Sequence, residues 1–122
     1  MRTSFLLAGL LVTMTGCSFA ARSPEMYRDD TKAVLATREP QIRACYNEIL
    51  KTDPNAGGKV TLTFEVETEE GKIVNIAVDE ANTTAPASVA QCVAKNIEGL
   101  ALNPPDQRTG LATWSWELRP EG

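Results

Sequence analysis

Three cysteines, Cys17, Cys45 and Cys92, and the complete lack of histidine define the chemistry open to this chain. Histidine is the commonest general base and the commonest metal ligand. Without it, Ser-His-Asp and Cys-His arrangements are ruled out. No Cys-x-x-Cys is present, so the cysteines carry no dithiol exchange motif. Two ordinary fates remain for cysteines in an exported chain, a structural disulfide or attachment of lipid.

The first residues say that the chain is exported. Met1-Arg2 is a short positive start, and Phe5 to Met14 is an apolar run broken only by Gly9 and Thr13. Thr15-Gly16 then leads into Cys17. A charged start, a short apolar core and a small-residue exit are the features of a secretory signal. The run is shorter than the roughly 20 residues that span a bilayer. A cysteine directly after glycine at that exit resembles the lipobox of bacterial lipoproteins. The resemblance implies cleavage before Cys17, lipid on its sulfur and amine, and attachment to a membrane. Met14 stands where leucine is usual, and the alternative is plain secretion with an incidental cysteine. Expected boundaries are a signal peptide over 1–16, a tether over 17–23 and one domain over 24–122. Ser18 in place of the aspartate that retains lipoproteins at the inner membrane points to the periplasmic face of the outer membrane.

Cleavage leaves 106 of the 122 residues, with 11 basic against 16 acidic side chains once Arg2 is lost. This is one small domain. Its acidic balance gives it no electrostatic reason to bind nucleic acid.

Hydrophobic period supplies the elements. Ser23-Pro24-Glu25 can start a helix, giving an expected helix from about Met26 to Thr37 with a weak apolar stripe. From Pro40 to Lys51, Ile42, Cys45, Tyr46, Ile49 and Leu50 share one helical face. Asp53-Pro54-Asn55 and Gly57-Gly58 break it. The period then changes to two: Val60, Leu62, Phe64 and Val66 point one way, Thr61, Thr63, Glu65 and Glu67 the other. After the turn at Thr68 to Gly71, Val74, Ile76 and Val78 alternate again, completing a hairpin. Pro86 opens a helix whose stripe is Val89, Cys92, Val93, Ile97 and Leu100. Asn103-Pro104-Pro105-Asp106 ends it, and Ala112, Trp114, Trp116 and Leu118 share a face of the final strand. The expected fold is α+β, a two-layer sandwich in which helices pack on one face of a small antiparallel sheet of about three strands.

Cys45 and Cys92 each lie on the apolar stripe of a helix, and both helices must cover the same sheet face. Inward cysteines so placed can meet, and an exported chain sits where disulfides persist. The alternative is two buried thiols acting as small apolar groups. The acids from Glu65 to Glu80 match no calcium loop and read as a solvated surface. Trp114 and Trp116 read as core rather than as a binding surface. No cofactor or metal is expected.

The stretches Ile42-Arg43-Ala44-Cys45-Tyr46, Asp53-Pro54, Gly57 to Phe64, Gly71-Lys72-Ile73-Val74 and Val89-Ala90-Gln91-Cys92-Val93 resemble the AgmX/PglI C-terminal domain of myxobacterial envelope proteins. The resemblance covers about 40–118. It implies a fold related to the TonB C-terminal domain, a bridge between Cys45 and Cys92, and a place in gliding motility or other envelope-spanning machinery. Leu102-Asn103-Pro104-Pro105 and Trp114-Ser115-Trp116 depart from the family's aromatic–proline motifs. The inner-membrane helix and Pro-rich spacer of TonB-type proteins are missing too.

The expected function is a lipid-anchored, non-catalytic domain that binds another envelope protein. Its rivals are a structural lipoprotein, one that binds peptidoglycan or a small ligand, and a small enzyme. If the last strand lies at an edge of the sheet, Leu111, Thr113, Ser115 and Glu117 face solvent and carry the partner's selectivity. If it pairs centrally, it offers no edge.

Overall fold

A computed structural model describes residues 22–120. The signal peptide expected over 1–16, the lipidated Cys17 and the expected tether as far as residue 21 lie outside the described residues. Helix α1 spans Pro24–Ala36 and α2 spans Glu39–Thr52. Strands β1 (Gly58–Val66) and β2 (Ile73–Val78) follow, then a 3-10 turn at Glu80–Asn82, helix α3 (Ala87–Ile97) and strand β3 (Gly110–Leu118). The elements agree with the hydrophobic periods to within about two residues, the usual uncertainty of helix and strand boundaries, except at the end of α3: the expected stripe runs to Leu100, but the helix stops at Ile97, with Gly99 at φ 85° just beyond it. Ser23 caps α1 by accepting the Met26 N–H at 3.1 Å, with Pro24 in the first turn.

The sheet order is β2-β1-β3, all antiparallel. Val60, Leu62, Phe64 and Val66 of β1 form the centre of the core under Val89, Val93 and Ile97 of α3. Ile42 and Tyr46 of α2 and Leu35 of α1 complete it. The Tyr46 hydroxyl donates to the Ala56 carbonyl at 2.5 Å, tying the end of α2 to the entry of β1. Burial, then the nearby Asp53 carboxylate, pushes its pKa up.

Two departures from simple alternation have local causes. β2 carries an extra residue opposite Thr63 to Glu65, and Asn75 takes φ 55° there. Asparagine tolerates that region better than most residues. The bulge shifts the phase, so Ile73 rather than Val74 enters the core. Thr61, on the face expected to be wet, is only 2% exposed. The segment after β2 folds across it, and the Thr61 hydroxyl bonds the Asn82 carbonyl and the Ser115 hydroxyl, both at 2.8 Å.

At the hairpin, Gly71 has φ 74°, and a Cβ there would overlap the Leu102 carbonyl. Glu67 was expected only as a solvated acid. Its carboxylate accepts the Glu70 and Gly71 N–H groups at 2.6 and 2.9 Å and closes the turn. The Glu70 bond, opposed by desolvation and reinforced by Gly71, holds its pKa below the usual range.

Candidate partner-binding edge

The strand order resolves the alternative left open by sequence: among the described residues β3 pairs with β1 alone. The direction of its outward hydrogen-bonding groups follows from β1. The Thr61 carbonyl accepts from Asp79 at 2.8 Å, and the Lys59 carbonyl accepts from Thr84 at 2.8 Å, both on the β2 side. In an antiparallel ladder, N–H and C=O of one residue point the same way and alternate along the strand. Val60 and Leu62 therefore face β3, where their partners are Trp116 and Trp114. It follows that Leu111, Thr113, Ser115 and Glu117 direct their N–H and C=O groups away from the sheet. Their side chains are also the exposed ones, and Leu111 is 80% exposed.

The other edge is blunted. β2 has six residues, a bulge, and a neighbour at its start: Ile73 N–H donates to the Leu100 carbonyl at 2.9 Å, and Leu102 N–H to the Gly71 carbonyl at 2.7 Å. Short, bulged or covered edges resist strand addition. β3 has nine residues, and no proline or lysine interrupts it.

Trp114 and Trp116 face the helices as expected but remain half-buried rather than enclosed in the core. α3 packs on β1 and β2, and α2 packs on α3 and borders the Trp116–Leu118 end of β3. Beside β3, an open groove of about 410 Å³ runs between it and α1. Both faces of β3 line this groove, Ala112 and Trp114 from the inner and Leu111 and Thr113 from the outer, so it opens onto the strand's edge. Tyr27 and Thr31 form the α1 wall. Gly110 lets that wall close at one end, since a Cβ there would lie 2.5 Å from the Tyr27 hydroxyl.

The position of α1 depends on a charged cluster that sequence reasoning missed. The Asp106 carboxylate is fully covered. It accepts the backbone N–H of Arg22 at 2.7 Å and of Arg108 at 3.0 Å, with each guanidinium 3.6 Å away. Arg22 also bonds Asp30 and the Pro104 carbonyl, both at 2.7 Å, and the Arg108 guanidinium bonds the Arg22 carbonyl. The Tyr27 hydroxyl donates to the Arg108 carbonyl at 3.2 Å. Burial, then the Asp106 charge, pushes the Tyr27 phenol up against the pull of the two arginines. The cluster fastens the start of the folded chain to the loop that enters β3. An aspartate after two prolines reads as turn chemistry, so no sequence signal marked it.

Cys45 and Cys92 are joined, α2 to α3, with their Cα atoms 6.0 Å apart. Cys17 lies outside the described residues. Among the described residues no group of three or more His, Cys, Asp or Glu could hold a metal, and no helix is long and apolar enough to cross a membrane.

No protein-family model and no curated protein matches the chain. Among solved structures, it is similar to the C-terminal domain of TonB from Helicobacter pylori (residues 179–285 of that protein). The TM-score is 0.58 at 12% identity, over 84% of this chain and 88% of that one. The chain therefore has a TonB C-terminal-domain-like fold, an α+β arrangement of three helices and a three-stranded open antiparallel sheet.

Proposed function

We propose that this chain is a non-catalytic protein-binding domain of the bacterial envelope, held on a membrane by lipid on Cys17, and that its partner adds a strand to β3. The observation that carries the reading is the β3 edge, uncovered among the described residues, with outward backbone groups at Leu111, Thr113, Ser115 and Glu117 beside an open groove. Strand addition draws affinity from backbone bonds and selectivity from alternate side chains. The TonB-like fold supports an interaction role, and the AgmX/PglI resemblance suggests motility or envelope-spanning machinery as its setting. The lipobox, with Ser18 after it, favours the periplasmic face of the outer membrane.

Thr113→Pro tests the edge. The Thr113 N–H points away from β1, so proline removes a donor from the edge without breaking a bond to β1. Extended backbone at Ala112 also suits a residue before proline. Crosslinking in cells, followed by recovery of the full chain, should yield a specific protein with the wild type and lose it with a folded Thr113→Pro variant. Retention of that protein by the variant rules out the edge. Recovery of glycan strands in place of a protein would support the peptidoglycan-binding rival.

A further inference from the structure

The groove beside β3 differs in charge from the chain as a whole. The protein carries a formal charge of −4, yet among the described residues the charged side chains lining the groove are Arg28 and Arg108 alone. Arg108 is committed to the Asp106 cluster, although its side chain is 56% exposed. Arg28 is exposed and makes no hydrogen bond or ion pair among the described residues. The rest of the lining is Pro24, Tyr27, Leu111, Trp114 and small or hydroxyl-bearing residues. A depression at the far end of β3, by Trp116 and Leu118, is smaller, about 120 Å³, and mixes Glu39 and Glu117 with Arg43 and Arg119. Room and unbalanced positive charge thus coincide at the Gly110 half of the strand.

Resting on the edge reading above, we infer that the α1–β3 groove selects an extended partner segment that pairs an acidic residue with a large apolar one. Cross-strand neighbours place their side chains on the same face. Residues of an added strand opposite Ala112 and Trp114 would point into the groove, against Tyr27 and Thr31. A bulky aliphatic or aromatic side chain fills that space. A carboxylate two residues away, on the same face and on the Gly110 side, reaches Arg28 and Arg108 and balances a positive charge that the described residues leave unmatched. The order of the two residues reports strand direction. Because β3 runs from Gly110 to Leu118, the acid follows the apolar residue in an antiparallel partner and precedes it in a parallel one.

The test selects random peptides about as long as β3 on the full chain. The best binder is then remade with its acid as glutamate, glutamine or lysine. Each form is titrated against wild type, Arg28→Glu and Thr113→Pro. Selected peptides should share an acid two residues from a large apolar residue. Changing the acid to glutamine should weaken binding to wild type by roughly fivefold to tenfold, the range for a partly exposed charged pair. Arg28→Glu should reverse the order and prefer lysine. Equal binding of the glutamate and glutamine forms, with Thr113→Pro still abolishing it, overturns the acid preference and leaves strand addition standing. Peptides indifferent to Thr113→Pro overturn strand addition and this inference with it. A selection that yields no binder overturns the inference as well.

Discussion

Replacing Asp106 with asparagine tests whether α1 is held by charge. Asparagine keeps one acceptor oxygen, so it can serve either the Arg22 or the Arg108 N–H, and it removes the charge between two guanidiniums. Breaking a buried ion pair from one side costs about 3–5 kcal/mol, and a single hydrogen bond to a charged group is worth about 1.5–3 kcal/mol. Two features favour the lower end. Arg22 keeps Asp30 at 2.7 Å, and the Arg108 side chain is mostly exposed and can return to water. About 3 kcal/mol is expected. For a domain of this size each kcal/mol moves Tm by about 4–8 °C, so the melting point should fall by roughly 12–24 °C. Circular dichroism at neutral pH, with the disulfide intact, reads this directly. Burial alone would raise the Asp106 pKa, but the Arg22 and Arg108 N–H groups and the two guanidiniums outweigh it and hold it below the ordinary carboxylate range. A depressed folded pKa contributes stability that is present above the unfolded value, about 3.9, and lost as pH falls through the folded one. The Tm difference between wild type and variant should therefore be level from neutral pH to about pH 5 and close below roughly pH 4. A variant melting within about 2 °C of wild type at neutral pH, or a difference unchanged by acid, refutes the reasoning.

Three other outcomes are expected. Cys45→Ser should cost about 4 kcal/mol, the chain-entropy value for the separation of 47 residues, and a non-reduced digest of the wild type should contain a peptide linking Cys45 to Cys92; free thiols at both positions in protein from the periplasm would sink this claim. Cys17→Ala should leave a precursor or release soluble protein from the membrane fraction, whereas unchanged fractionation would remove the anchor from the account. Gly71→Ala should destabilise by more than 1 kcal/mol in denaturant titration, because positive φ and the Leu102 carbonyl both oppose a side chain there; a neutral result would mean that the turn relaxes more easily than its contacts suggest.

The hydrophobic periods disclosed most of the architecture because each element buries one face. The apolar stripes alone assign Ile42, Cys45, Tyr46, Val89, Cys92 and Val93 to two helices that cover the same sheet face. The same alternation also separated Thr113 from Trp114. It could not say whether β3 lies beside β1 alone or between two strands, since period two reports a face and not a neighbour. Thr61 was misplaced for a related reason: a polar residue on a wet face can be covered by a later loop that sequence does not locate. Asn75 altered the phase by one residue, and a bulge leaves little trace in a six-residue strand. The Asp106 cluster joins Arg22 to a loop 84 residues away, and no local pattern encodes a contact of that kind.

The bridge between Cys45 and Cys92 encloses β1 and β2 but leaves α1 and β3 outside its loop. Under tension applied between residues 22 and 120, the 47-residue separation spanned by the bridge could not extend, which withholds about 160 Å of contour. Only the two flanks could pay out, and they are the parts secured by the Asp106 cluster, by Tyr27 against Gly110 and by the β1–β3 ladder. The domain would yield in a bounded step and keep its cross-linked centre intact to recapture them when the load is released.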